Sequence, residues 1–214
     1  MVLMSIVRRT TEETRQCILL AAWDHFRQLG FRKTTIADIA GTLGMSSANI
    51  YRFFPSKDAL TEAICRNMLG AMIAAAQAAA AAPGRAVERL GAVLMILHCN
   101  LRDQMTNQKR VHEVVAAAMD ENWASIGEFL EACDAIAAAL IAEGQARGEF
   151  GPGDPAMLGR MTMAACAAIH HPTLIAQCGA MNPDMQPEAV VDFAIRALAN
   201  KNPPEQGQRS ELAS

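Results

Sequence analysis

The sequence is defined first by what is missing from it. No two of its six cysteines (Cys17, Cys65, Cys99, Cys133, Cys166, Cys178) form a C-x-x-C pair, so they read as reduced, mostly buried small hydrophobes. The start, Met1–Arg8, is too short for a secretory signal and carries its charges on the wrong side. Hydrophobic residues make up 51% of the chain, yet no apolar run has the uniform length and flanks of a membrane span. A cytoplasmic location is the expectation. There is no phosphate-binding G-x-x-x-x-G-K loop, no G-x-G-x-x-G and no H-E-x-x-H. Serines and histidines occur without a nucleophile motif. No catalytic residue and no cofactor is assigned, and an enzyme is not expected. Strand-like alternation and internal repeats are also missing, which leaves an all-α chain.

Excess charge is lacking too. The net charge of −3 argues against a general nucleic-acid binder, but its distribution points the other way. Residues 1–57 carry eight Lys/Arg against four Asp/Glu, and residues 58–214 carry eleven against eighteen. A basic head on an acidic body concentrates positive potential on one part of the molecule.

What is present centres on residues 35–57. Ile36, Ile39, Ala40 and Leu43 fall at i, i+3, i+4 and i+7, one apolar face of a helix. Thr35 is placed to cap it, with Asp38 at the reciprocal position. Gly44 supplies the turn, and Ser46 caps a second helix. There Ile50, Phe53 and Phe54 share one arc and should pack inward. Ser47, Ala48, Asn49, Tyr51 and Arg52 occupy the other arc. Hydrogen-bonding groups, a small apolar contact and a guanidinium suit a helix lying in the DNA major groove. The plain alternative is a helical hairpin with a solvated polar face. Arg32 and Lys33 precede the first helix, and Lys57 opens the next one, where it can meet a phosphate near a helix N-terminus.

The stretch from about Arg15 to Leu69 resembles the tetracycline-repressor (TetR) family of transcriptional regulators. The match rests on Ala22, Phe26, Gly30-Phe31, Thr34-Thr35-Ile36, Ile39-Ala40, Gly44-Met45-Ser46, Ile50-Tyr51, Phe54 and Ser56-Lys57-Asp58-Ala59-Leu60. One departure is Phe53, where the family commonly has His or Tyr touching a phosphate. That contact is expected to be lost or taken over by Arg32 or Lys33. The resemblance implies DNA contacts from Arg32, Lys33, Thr35, Ser46, Ser47, Ala48, Asn49, Tyr51, Arg52 and Lys57.

Taken in order, residues 1–9 read as an arm. A capping box at Thr10 and Glu13 starts a helix over 11–29. It carries Leu19, Trp23 and Phe26, with Ile18, Ala22 and Leu29 alongside. A helix capped by Ser56 runs to about Ala82, alanine-rich from Ala71, and Pro83-Gly84 ends it. Further helices are expected over 85–105, 107–120, from the Asn122 cap to Arg147, over 155–171 with Asp154 capping and Pro155 at its first position, and over 188–199. Pro172 should kink or interrupt the chain there, with 173–178 able to continue beyond it. The domains are expected at 1–70 for DNA binding and 71–199 for ligand binding and dimerisation, with a disordered tail at 200–214.

In the body, thirteen methionines and many alanines fit either irregular core filling or a cavity for an apolar small molecule. The resemblance implies such a pocket, with polar anchors at His98, Arg102 and His170 and lining at Met95, Trp123, Met161 and Cys166. His98, His112, Cys166 and His170 with Glu113 or Asp120 are the residues a metal would use. Hydrogen-bonded core histidines explain them equally, and no metal is assigned.

By resemblance, the chain is expected to be a homodimeric repressor, released from a palindromic operator in double-stranded DNA by a small effector. The last two helices of each protomer should pair with those of its mate. A ligand-independent DNA-binding regulator and a protein-binding helical adaptor are the other readings. No membrane partner is expected.

Overall fold

A computed structural model describes residues 10–107, 124–171, 174–175 and 186–199. Its helices are α1 (Thr11–Leu29), α2 (Ile36–Leu43), α3 (Ser47–Tyr51), α4 (Lys57–Ala80), α5 (Ala86–Asn107), α6 (Ala124–Ala146), α7 (Pro155–Ala165), α8 (Ala167–His170) and α9 (Pro187–Ala197). Among the described residues the one strand-like pairing is an isolated antiparallel bridge between Phe150 and Ala199. The expected arm at 1–9, the helix at 107–120 beyond Asn107, the Asn122 cap, Trp123 and the tail at 200–214 lie outside the described residues.

The chain forms two compact units. The head takes the described residues up to Leu69 together with 104–107 and 124–126. The body takes Gly70–Asp103 and the described residues from Gly127 onward. A division near Ala71 drawn along the sequence has no means of returning the later pieces to the head, because that depends on contacts between distant residues.

The head starts with the expected cap. The Thr10 hydroxyl accepts from the Glu13 amide at 3.1 Å, and the Thr10 amide donates to Glu13 Oε2 at 2.7 Å. Ile18, Leu19, Ala22 and Phe26 of α1 then meet Ile36, Ile39 and Ala40 of α2, Ile50 of α3, Phe54, and Leu60, Ala63 and Ile64 of α4 in one buried core. Fully burying each of the larger side chains is worth about 1.5–3 kcal/mol. Trp23 packs against this core from its edge. Leu29, read as part of the same stripe, is exposed. It is the last residue of α1, and the chain leaves the helix at Gly30 (φ 92°) before α2 can cover it.

The body core joins Leu90, Val93, Leu94 and Leu97 of α5 to Cys133, Ala137, Leu140 and Ile141 of α6, with Cys166, Ile169, Val191, Ala194 and Leu198 completing it. Ala76 of α4 is fully buried in it, flanked by Ala79 and Ala80. Small side chains let backbones approach here, as the alanine run suggests. One helix, α4, reaches a mean hydropathy of 1.2 over a membrane-length window, an exception to the reading that no run is long and apolar enough. Its apolar character comes largely from alanine, and its apolar side chains supply both cores.

A charged clamp sits at one end of the body. Arg89 is largely buried and donates through Nη1 to the Ala80 carbonyl at 2.9 Å, and through Nη2 to Glu143. Glu143 also pairs with Arg147 at 2.9 Å. The Val87 amide at the start of α5 donates to Glu149 at 3.0 Å. These bonds tie the end of α4, the start of α5 and the end of α6 together.

The helix expected over 155–171 is broken. Asp154 caps α7 through the Ala156 and Met157 amides, both at 3.2 Å. The helix stops at Ala165, and Cys166 (φ −87°, ψ 7°) turns the chain into α8. The break comes six residues before Pro172, and α8 beyond it is bonded to α5.

Gly159 marks a close approach of α7 to α6. A Cβ built there would lie 3.0 Å from the Ala138 amide nitrogen and 3.0 Å from the Asp134 carbonyl oxygen. Both are backbone atoms and cannot swing aside. Gly159→Ala is therefore expected to destabilise the chain by about 1–3 kcal/mol, the usual cost of overpacking. Gly70→Ala, on α4 with nothing within 4 Å, is expected to stabilise by about 0.5–1 kcal/mol. Thermal unfolding of the two variants against the parent checks both signs.

Candidate functional site

The helix-turn-helix is held by local bonds that follow from the sequence. Thr35 accepts from the Asp38 amide at 3.2 Å, and donates from its hydroxyl and its amide to Asp38 Oδ2 at 2.7 and 2.9 Å. These hydrogen bonds, the hydroxyl's first, hold the Asp38 carboxyl below its ordinary range. Gly44 adopts the left-handed conformation (φ 64°, ψ 30°) that ends α2. Ser46 then caps α3, accepting the Asn49 amide at 3.2 Å. Ile50 and Phe54 are buried, and Phe53 packs against the head core from its edge. Phe53 therefore does packing work at the position where the resemblance places a phosphate contact.

The other arc of α3 faces outward. Ala48, Tyr51 and Arg52 are exposed, and Ser47 and Asn49 are half-buried. Tyr51 keeps 48% of its surface accessible. Arg32 and Lys33 are exposed too, with no ion pair among the described residues. They stand in the turn between α1 and α2. Within it Thr34 is buried and ties its hydroxyl to the Gly30 carbonyl at 3.0 Å.

Lys57 behaves unlike its neighbours. Its ammonium donates to the Phe31 carbonyl at 2.6 Å and lies 4.5 Å from the centre of the Phe31 ring. Burial pulls its pKa below the usual ammonium range. Two other long-range contacts also escape sequence reading. Arg15 lies 4.9 Å from the Phe54 ring centre, and His25 hydrogen-bonds Thr42 at 2.7 Å, joining α1 to α2. No spacing rule signals any of them.

The body residues expected around a ligand have different placements. His98 is buried and its Nδ1 donates to the Ile169 carbonyl at 2.8 Å. His170 reciprocates, with Nε2 donating to the Leu94 carbonyl at 2.9 Å. The two imidazoles cross-tie α5 and α8. Burial pushes His170 below its ordinary pKa, with the Leu94 carbonyl opposing and nearby His98 adding to the shift. A neutral ring that donates from Nε2 carries its lone pair on Nδ1, and this atom is buried with no protein partner. Cys166 is fully buried and its thiol is pushed up to about 11. Met95 is half-buried against the same core. Arg102 is exposed and pairs with Asp103 at 3.0 Å, and Met161 is 60% exposed on α7. Trp123, His112, Glu113 and Asp120 lie outside the described residues. Among the described residues no group of three or more His, Cys, Asp or Glu is arranged to hold a metal ion.

The His170 pairing gives a pH dependence. Above about pH 6.5, the ordinary histidine value, folded and unfolded chains both hold the ring neutral. As pH falls through 6.5, the unfolded chain takes up a proton that the folded chain does not, because the folded value is depressed. Stability therefore declines on the acid side of 6.5. The melting temperature of the parent is expected to drop between pH 7.5 and 5.5, and that of His170→Gln to drop less.

Known proteins share both units. Residues 18–64 match a family model described as bacterial regulatory proteins, tetR family, and residues 86–191 match one described as the tetracyclin repressor-like C-terminal domain. The chain is 39% identical over 66 residues to the HTH-type transcriptional regulator RutR of Escherichia coli K12, a stretch covering 31% of each chain. It thus spans under a third of that relative's length. Among solved structures, a TetR/AcrR-family regulator from Thermobifida fusca superposes with a TM-score of 0.58 at 24% identity, covering 88% of this chain and 98% of the other. RolR in complex with the ligand resorcinol superposes with a TM-score of 0.59 at 16% identity, covering 89% of both chains.

Proposed function

Since the chain belongs to the tetracycline-repressor (TetR) family, we propose that it is a homodimeric, sequence-specific DNA-binding regulator. It represses transcription from a palindromic operator, and a small, largely apolar effector releases it. The observation that carries this reading is α3. Ile50 and Phe54 are buried on its inner side, and Ala48, Asn49, Tyr51 and Arg52 keep accessible surface on the other, in a head of net positive charge.

In this reading α3 lies in the major groove. The Asn49 amide can donate and accept together, which suits N6 and N7 of adenine. Ala48 offers a methyl-sized contact. Arg32, Lys33 and Arg52 meet phosphates and set register without reading sequence. Two copies related by a two-fold axis place their recognition helices roughly 34 Å apart, one helical turn of duplex.

The second copy has a surface to use. Helices α7 and α9 pack together and leave Met157, Met161 and Phe193 exposed, Phe193 at 71%. Apolar side chains this open on adjacent helices suit an isologous interface. Met161, expected to line a pocket, then serves the dimer.

For the effector, Met95, His98, Cys166 and His170 gather where α5 meets α8, and a neutral imidazole there offers an acceptor nitrogen. A small aromatic carrying a hydroxyl fits that chemistry, and resorcinol bound to RolR is of this class. Helix α4 supplies side chains to both cores, so an effector that favours one arrangement of the body can bias the head. It shifts DNA affinity only by its differential affinity for the two states.

Selection from a random duplex library, followed by binding isotherms, tests the reading. The parent should enrich a palindrome. Asn49→Ala should lose about 1–3 kcal/mol on the selected site and change little on scrambled duplex. Equal loss on both would overturn the orientation of α3. In sedimentation at micromolar concentration the parent should run as a dimer and Phe193→Glu as a monomer. A monomeric parent would defeat the dimer.

A further inference from the structure

The turn between α1 and α2 is anchored at each of its fixed points. Gly30 ends α1 with a positive φ, and its amide donates to the Phe26 carbonyl at 3.0 Å. The Phe31 ring meets Phe26 edge to face, with ring centres 5.6 Å apart. Thr34 is buried, and its amide and hydroxyl both donate to the Gly30 carbonyl, at 3.2 and 3.0 Å. Between them the Phe31 carbonyl is held from outside the turn by Lys57, 26 positions away on α4. The same ammonium lies 4.5 Å from the centre of the Phe31 ring. What this turn presents to solvent is the pair Arg32 and Lys33.

We propose that Lys57 is a positioning residue for DNA binding: by holding the Phe31 carbonyl and ring, it fixes the turn from which Arg32 and Lys33 reach the phosphate backbone. The inference rests on the DNA-binding reading above. It differs from assigning Lys57 a phosphate of its own. An ammonium engaged by a backbone carbonyl 2.6 Å away and partly withdrawn from water has less to give a phosphate than the two open cations beside it.

Phosphate contacts are independent of sequence, so a random 30-base-pair duplex serves as the probe, with fluorescence anisotropy read over a salt series. Four chains are compared with the parent: Lys57→Met, Arg32→Ala/Lys33→Ala, the triple variant, and Phe31→Leu, which keeps the Lys57 charge but removes part of its seat. A positioning role predicts that Lys57→Met weakens binding several-fold and lowers the salt slope by roughly two per protomer, since the loss of one phosphate contact lowers it by roughly one. It predicts that the triple variant binds like Arg32→Ala/Lys33→Ala, within about twofold, because a residue that acts through others has no effect once they are gone. Phe31→Leu should also weaken binding although every charge remains. Amide exchange at Arg32, Lys33 and Thr34 should quicken in Lys57→Met while α2 stays protected, a readout that survives any loss of stability in the variant.

Equal-factor losses from Lys57→Met in both backgrounds, with a slope change of one, would overturn the proposal and assign Lys57 its own phosphate. Parent-like binding by Arg32→Ala/Lys33→Ala would overturn it too, leaving the DNA-binding reading intact. A parent chain that fails to bind duplex at low salt would bring down both.

Discussion

A helix of five residues cannot hold itself together in water. Closing its first turn fixes several dihedral angles for one hydrogen bond, and five residues supply too few further bonds to recover that cost. Helix α3 is that short, so its order comes from its surroundings. Ile50 and Phe54 insert into a core built by α1, α2 and α4, and Ser46 satisfies one of its open amides. Everything proposed for DNA depends on this arrangement. A recognition surface on a self-supporting helix could move as a unit. One on α3 can only sit where the head core puts it. The head's small apolar core is thus the positional standard for every proposed base contact.

The body solves a different problem with polar groups. Its core is built mainly of leucine, valine, isoleucine and alanine, and apolar burial carries no direction of its own. The cross-ties between His98 and the Ile169 carbonyl and between His170 and the Leu94 carbonyl add direction, as does the Arg89 clamp at the other end of α5. Each is a directional bond in a buried or half-buried setting, where an unmade partner costs more than a made bond returns.

How far the sequence is legible follows from the range of the interactions. Caps and turns act within four residues. Thr10 with Glu13, Thr35 with Asp38, Gly44, Ser46 and Asp154 with Pro155 are all readable as local chemistry, and the structure places each in its role. The apolar stripe of α2 is readable for the same reason. Contacts between distant positions are not. Lys57 with Phe31, His25 with Thr42 and Arg15 with Phe54 have no spacing signature, and by analogy alone Lys57 goes to a phosphate. Exposure is equally hidden at Leu29 and Met161, where periodicity names a face but not what covers it. The break at Cys166 has no local signal. The visible breaker is Pro172, six residues on, whereas the α5 carbonyl that His170 of α8 bonds lies 76 positions earlier in the chain.

The residues proposed to face DNA differ in the hydrogen-bonding capacity they have left. Of ten residues named from sequence and resemblance, Thr35 has its hydroxyl engaged both ways with Asp38, and Ser46 accepts the Asn49 amide. Lys57 is held by Phe31. Ala48 has no polar group to offer. Hydrogen-bond capacity not used inside the head therefore concentrates on Arg32, Lys33, Ser47, Asn49, Tyr51 and Arg52. Of these, Ser47, Asn49, Tyr51 and Arg52 belong to α3 or its last turn, and Arg32 and Lys33 to the anchored turn. The division matches the two tasks of a DNA reader, since base edges demand placed donors and acceptors and phosphates demand charge. It also explains why so many polar side chains in the head are committed internally. Each one tied down removes a degree of freedom that binding would otherwise have to freeze, so in the proposed complex the few that remain open would meet the duplex from a frame already ordered.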